Sequence, residues 1–430
     1  VALTGRAALG ALIGTLVILA ARDVVALIAV NGVLLAMVTA DLALAAPVRP
    51  LQLTRAGDTK VLLGQSAPVT LTVANRGPRS LRADIRDAWQ PSARAQPHHV
   101  RVRIPPGSQV TMTTTLTPDR RGDKAAAKVT IRSRGPFGLA ARQASRHVAW
   151  TVRVLPPFRS RRHLPEKLSR LRQLDGQHRA LLRGQGSEFD SLREYVIGDD
   201  VRSIDWRAAA RRGEVMVRTW RPERDRRILV VLDTGRTSAA RVAGIPRLDT
   251  SMDATLLLTA LASRAGDRVD FLAFDRRIRA RVVGISRSAV LSSVTNAMAA
   301  IEPELVETDA AALASTALTT AKHRSLVVLL TDLNPAALEE GLLPRLPLLT
   351  TRHQVLVAAV ADPALADMAS GRGDAALVYS AAAAEQARAA RQRISALLRR
   401  RGAQVVDATP DRLPAALADA YLELKAAGRL

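Results

Sequence analysis

Residues 228–238 read ILVVLDTGRTS, an apolar run of five that stops at Asp233 and continues into small, hydroxyl-bearing residues. Five consecutive apolar side chains leave no solvent face, so the run reads as a strand buried on both sides. The pattern recurs downstream. An apolar helical stretch around 251–264, closed by Gly266, leads into VDFLAF (269–274); SLVVLL (325–330) runs to Thr331-Asp332, and QVLVAAV (354–360) to Ala361-Asp362. Ser380 is placed to cap a helix over residues 381–400, ended by Gly402, and QVV (404–406) supplies a last strand. Apolar strands alternating with helices predict a doubly wound, mainly parallel α/β sheet over residues 227–430. Ligands of such sheets sit beyond the carboxyl ends of the strands, where Asp233 and Asp332 both fall.

DTGRTS (233–238) resembles the metal-ion-dependent adhesion site of von Willebrand factor A domains, whose loop reads Asp-x-Ser-x-Ser. Those sites add a threonine from an intervening loop and an aspartate after a later strand. The resemblance implies Asp233 in the first position, Thr237 for the second serine, Thr308 in VETDAA (306–311) as the loop threonine, and Asp332 as the later carboxylate. Oxygen ligands of this kind hold a small dication such as Mg²⁺, with an open position for a partner's carboxylate. Gly235 departs from the pattern, standing where the family has a serine, so one hydroxyl ligand is missing. The plainer alternative has Asp233 capping the following helix with no metal.

Upstream lies RGQGSEFDSLREYVIGDDVRSIDWRAAARRGEVMVRTWRPE (183–223), read here as a segment over 156–226 that packs on the α/β domain. Phe189, Tyr195, Trp206 and Trp220 are four of only twelve aromatic residues, so the segment anchors its own domain or a partner. Asp205 is placed to cap a short helix over 206–212, with Gly213 closing it, and Gly198-Asp199-Asp200 has turn chemistry. Arg202, Arg207, Arg211 and Arg212 outnumber the nearby carboxylates and hold them ionised, the opposite of what a general acid or base requires. The GQG of 184–186 has no following GK[ST] and reads as a turn.

Before this segment, period-two alternation (Val69, Leu71, Val73; Val100, Val102, Ile104; Trp150, Val152, Val154) between Gly/Pro turns predicts a small β-sandwich over 48–155. His98 and His99 are adjacent and read as loop residues. Residues 7–21 and 24–40 are two apolar stretches separated by Arg22-Asp23, and residues 1–46 read as a transmembrane helical hairpin with Arg6 and Arg22 snorkelling. Arg49, Arg55 and Lys60 follow it, so the positive-inside bias puts both termini and the soluble domains in the cytoplasm, at the inner membrane. A signal peptide cut at ALA (43–45) fits less well, because two apolar segments precede it and Asp41 adjoins it; a buried helical hairpin of a soluble protein is the other alternative.

The chain has 430 residues, a net charge of +24 and no cysteine, which removes disulfides, thiolate zinc sites and thiol nucleophiles. Its basic residues are spread along the chain, with no zinc finger or RNA-recognition signature, so nucleic acid is not an expected partner.

GxGxEF…LREY..GDD.R.IDW…AR followed by LDTGRT resembles the bacterial family known as domain of unknown function fifty-eight. The residues that carry the likeness are Gly184, Gly186, Glu188, Phe189, Leu192, Arg193, Tyr195, Gly198, Asp199, Asp200, Arg202, Ile204, Asp205, Trp206, Ala210 and Arg211, with FLAFD (271–275) and AYLELKAAGRL (420–430) beyond them. Members commonly pair a membrane hairpin with a von Willebrand A-like domain beside genes for MoxR-type AAA+ ATPases. The resemblance implies a membrane-anchored adaptor for such an ATPase or its client. No P-loop lysine motif occurs, so any ATP energy comes from the partner. Two alternatives stand: a metal-dependent hydrolase built on Asp199, Asp200 and Asp205, and a structural envelope scaffold.

Overall fold

The computed structural model describes residues 1–181, 188–221 and 226–430. The chain divides into two compact units, Val1–Pro157 and Phe158–Leu430, and each is described by itself.

The first unit opens with two apolar helices, α1 (Gly5–Ala21) and α2 (Val24–Leu44). Arg22, in the left-handed region at φ 53, ends α1, and Asp23 caps α2 by accepting from the Val25 amide. At about 1.5 Å per residue, α2 is about as long as a hydrocarbon core is thick. Among the described residues α2 alone is long and apolar enough to cross a membrane; α1, with 17 residues, is shorter.

Two sheets follow. Leu51–Gly57, Ala67–Asn75 and Gln109–Leu116 form a three-stranded antiparallel sheet, and a seven-stranded sheet faces it. Alternation decides which side chains meet between them. Leu71 and Val73 from the small sheet pack against Ile85, Val129 and Ile131 from the large one. His99 opens the strand His99–Ile104 opposite Arg86, while His98 precedes that strand. The side chain of Arg55, counted from sequence among the basic residues that follow the apolar stretches, is buried. Its guanidinium lies over the Trp89 ring and donates to both Asp87 oxygens at 3.0 and 2.6 Å, the two side chains being 1% and 2% exposed.

The ends of the hairpin are fastened to this β-module. Ala2–Leu3 adds a short antiparallel strand to Ala140–Arg146, and Thr4 Oγ1 donates to the Gly138 carbonyl at 2.6 Å. Asp41, in the last turn of α2, is fully buried. Its carboxylate accepts from the amides of Phe137, Leu139 and Ala140 at 2.8, 2.5 and 3.0 Å. Gly135 is required here, since a Cβ at that position would come within 2.1 Å of Asp41 Oδ1.

The second unit is built on a six-stranded sheet. Its strands are β1 (Arg227–Asp233), β2 (Arg268–Phe274), β3 (Ile278–Val282), β4 (Leu326–Leu330), β5 (Gln354–Val360) and β6 (Ala403–Ala408), in the spatial order 3-2-1-4-5-6. Only β3 is antiparallel, and it is the edge strand the sequence reading did not include. The helices that position the site are α3 (Arg247–Arg264), α4 (Ala310–Thr320), α5 (Leu346–Thr350), α6 (Ala375–Arg400) and α7 (Leu413–Ala426). Ile228, Val230 and Leu232 pack with α3 and α7 on one face, and Leu229 and Val231 with α4, α5 and α6 on the other. Both faces of β1 are covered, which is why ILVVL has no polar position. Helix α6 starts six residues before the predicted one: Asp374 accepts from the Leu377 amide as its cap, and Ser380 lies inside the helix.

Candidate functional site: the strand-end cleft and the acidic ribbon

The strand order reverses between β1 and β4, and their carboxyl ends open into a cleft of about 370 Å³. Asp233, Thr237, Thr308, Thr331 and Asp332 line it, with Arg236, Glu307 and Asn334; Val231, Leu313, Leu329 and Leu342 give it an apolar wall. The four residues singled out from sequence at this edge therefore meet at one place.

Their contacts define its chemistry. Asp233 Oδ1 accepts from Thr308 Oγ1 at 2.5 Å and from the Gly235 amide at 2.9 Å, and Oδ2 accepts from Thr331 Oγ1 at 2.6 Å. Gly235 explains the departure from a serine. A Cβ there would lie 2.2 Å from Thr308 Oγ1, so the hydroxyl of Thr308 takes the space a serine side chain would use. Asp332 accepts from Arg247 Nη1 at 2.7 Å and from Arg391 Nη1 at 2.9 Å. Arg391 also donates to both oxygens of Asp407 and to the Val360 carbonyl, so one guanidinium bridges the ends of β4, β5 and β6. Thr237 lines the cleft from a short 3₁₀ turn, Arg236–Ala239.

This donor set does not fit a dication as arranged. All four carboxylate oxygens already accept hydrogen bonds, and the charge of Asp332 is offset by two guanidiniums. A Mg²⁺ site wants about six oxygen ligands with the carboxylates facing the ion. Thr331, Arg247 and Arg391 were missed from sequence. Thr331 adjoins Asp332, a usable signal; the arginines reach the edge from helices, which no local pattern announces.

Burial raises the pKa of Asp233, and the three donated hydrogen bonds oppose this only in part. The folded state thus holds this proton to higher pH than the unfolded chain does. Its contribution to stability is full below the unfolded carboxyl value and is lost as pH rises through the raised folded one. Asp233→Asn, whose amide can still pair with Thr308 and Thr331, is expected to melt higher than wild type at pH 7.5 and to lose this pH dependence. Thermal melts from pH 4 to 8 check it; an equal or lower melting temperature at pH 7.5 refutes the account.

The acidic stretch is organised differently. Glu188–Glu194 and Met216–Arg221 pair as an antiparallel ribbon, with Glu188 opposite Arg221 and Phe189 opposite Trp220. Gly184 and Gly186 lie outside the described residues. Asp199 accepts from Arg193 at 2.5 Å and from the Val196 amide at 3.0 Å, closing the turn over Gly198. Asp200 accepts from the Arg202 amide, and Asp205 caps the helix Trp206–Arg212 through the amides of Arg207 and Ala208 while binding Arg218. The Arg193 guanidinium, then the Val196 amide, pull Asp199 below the usual carboxylate range; for Asp205 the Ala208 amide leads, then Arg218. These carboxylates hold the local backbone and point to no shared centre; their guanidinium partners are Arg193 and Arg218, not the Arg202, Arg207, Arg211 and Arg212 that the sequence suggested.

What the aspartates leave outside is apolar and basic. Val196, Ile197, Val201 and Trp206 are exposed, Ile197 at 97% and Trp206 at 67%, and Tyr195 is partly so. Arg202, Arg207, Arg211 and Arg212 are exposed beside them.

The second unit is thus a mainly parallel α/β domain with a cleft at its topological switch point and an appended ribbon. Residues 191–404 of the chain match the family described as Protein of unknown function DUF58. Similar curated proteins are the uncharacterized proteins Rv1480 of Mycobacterium tuberculosis (strain ATCC 25618 / H37Rv) and Mb1516 of Mycobacterium bovis (strain ATCC BAA-935 / AF2122/97). Each is 29% identical over 195 residues, which is 44% of this chain and 60% of the relative. The match thus spans under two thirds of those relatives' length. Among solved structures, the CARDB domain of PF1109 from Pyrococcus furiosus covers 24% of this chain and 86% of its own, at 15% identity and a TM-score of 0.19. A FixG-related protein from Vibrio parahaemolyticus covers 24% and 96%, at 12% identity and a TM-score of 0.17.

Proposed function

We propose that the protein is a membrane-anchored interaction protein, its hairpin in the inner membrane and its soluble units on the cytoplasmic side. In this reading the second unit is a von Willebrand A-like domain that acts as an adaptor for a MoxR-type AAA+ ATPase or that enzyme's client. The observation that carries it is the ribbon face. Exposed Ile197 and Trp206 flanked by arginines form the kind of surface that buries aromatic and arginine anchors in a partner. Its occupant would be an acidic protein surface with an apolar centre. The switch-point cleft is a second contact edge, and its arginine-bracketed Asp332 supports docking without a bridging Mg²⁺.

The test is retention of a MoxR-type ATPase from nucleotide-free native lysate by the detergent-solubilised full chain, in Mg²⁺ and in EDTA. We expect retention in both, reduced about tenfold or more by Trp206→Ala or Ile197→Ser, the loss of one anchor residue. Retention in Mg²⁺ alone would restore the metal bridge. Equal retention by the variants would move the contact off the ribbon, and no ATPase in either condition would sink the adaptor reading.

A further inference from the structure

Around the fastened ends of the hairpin, the β-module presents a basic collar. Arg142 Nε donates to the Leu42 carbonyl and Arg79 Nη1 to the Ala43 carbonyl, each at 2.7 Å, so two guanidiniums cap the carboxyl end of α2. Arg6, in the first turn of α1, lies against Gly138, its Nη1 3.2 Å from where a Cβ on that glycine would stand. Arg49 follows four residues after Ala45, and all four arginines are exposed. Asp41, in the last turn of α2, is fully buried and committed to three amides, so it does not offset them at the surface. Phe137 stands out of the same loop, 51% exposed, in the glycine-proline turn RGPFG (134–138).

We infer that this collar is a binding surface for anionic phospholipid headgroups of the leaflet from which the hairpin's two ends emerge, with Phe137 seated among the acyl-chain ends. The inference rests on the membrane-spanning reading above. If α2 crosses the bilayer, its last turn lies at the interface, and residues bonded to Leu42, Ala43 and Gly138 lie at headgroup depth. Guanidiniums there face phosphates and are attracted to an anionic surface within a Debye length of it. An exposed aromatic at that depth is placed as interfacial aromatics are. The surface therefore selects for negative lipid and fixes the depth and tilt of the β-module.

The chain's lack of cysteine permits one clean label. Gln143→Cys, exposed beside Arg142, carries an environment-sensitive fluorophore on the full chain, reconstituted in phosphatidylcholine vesicles containing 30% phosphatidylglycerol. Bromine on the phosphatidylglycerol or on the phosphatidylcholine then reports which lipid is near. Expected is at least threefold stronger quenching per brominated phosphatidylglycerol. That preference should fall to parity in Arg6→Gln/Arg79→Gln/Arg142→Gln and in 0.5 M salt. Equal quenching by both lipids in wild type would overturn the headgroup selectivity. Absence of quenching in protein that floats with the vesicles would remove the collar from the membrane altogether. Protein that does not float would refute the membrane reading itself, a separate failure.

Discussion

Lys425→Ala is expected to cut the hydrogen-exchange protection of the β1, β2 and β4 amides by about two to three and a half orders of magnitude. Lys425 Nζ, in α7, donates to both oxygens of Asp267 at 2.9 and 3.1 Å, and Tyr421 OH donates to the same carboxylate at 2.5 Å. Asp267 stands just before β2 and, like Tyr421 and Lys425, is buried. Removing one partner of a buried pair leaves the other charge uncompensated, at a cost of about 3–5 kcal/mol. At about 1.4 kcal/mol per tenfold, that is the loss stated. Exchange measured peptide by peptide in the full chain reads this unit without interference from the other. The double variant Asp267→Asn/Lys425→Met removes both charges and should recover most of the protection. If the single variant loses less than tenfold, the pair is not what pins α7 to the sheet.

Asp41→Ala is expected to be nearly as severe, but in the first unit. It leaves three amides, those of Phe137, Leu139 and Ala140, without their acceptor. An unsatisfied buried donor costs about 1–3 kcal/mol, less where water can enter. The loop 135–140 should then exchange freely and become cleavable by protease, while the inner strands around Val129 and Ile131 stay protected. Asp41→Asn keeps one acceptor oxygen and should fall between. Unchanged protection of 137–140 in the alanine variant would show that the strand Ala2–Leu3, not Asp41, holds the junction.

What the sequence disclosed depended on how local the cause was. The central strands were legible because burial on two faces leaves only apolar residues, as in ILVVL and LVVLL. Strand β3, IRARV, was not, since an antiparallel edge strand tolerates arginines at alternate positions. Asp205 was legible as a cap because its partners are two and three residues away. Asp41 was not, since its partners lie 96 to 99 residues later. In the cleft, strand ends pointed to Asp233 and Asp332 and the family likeness to Thr308. The guanidiniums of Arg247 and Arg391 come from 85 and 59 residues away and follow only from packing. The same applies to Arg55, whose place in the sequence suggests a membrane-flanking charge and whose packing makes it a buried one.

The short strand Ala2–Leu3 pairs with residues made only after the rest of the hairpin and most of the β-module. At about 5–20 residues per second of synthesis, those partners leave the ribosome on the order of ten seconds later. During that interval the apolar helices are already available to the insertion machinery while Thr4 and Asp41 have nothing to hold. On the membrane-anchored reading proposed above, insertion therefore precedes fastening. On that reading, when Gly135–Ala141 emerges and folds, it closes over two helix ends whose positions the bilayer has already set, so the finished β-module would record the depth at which the hairpin was laid down.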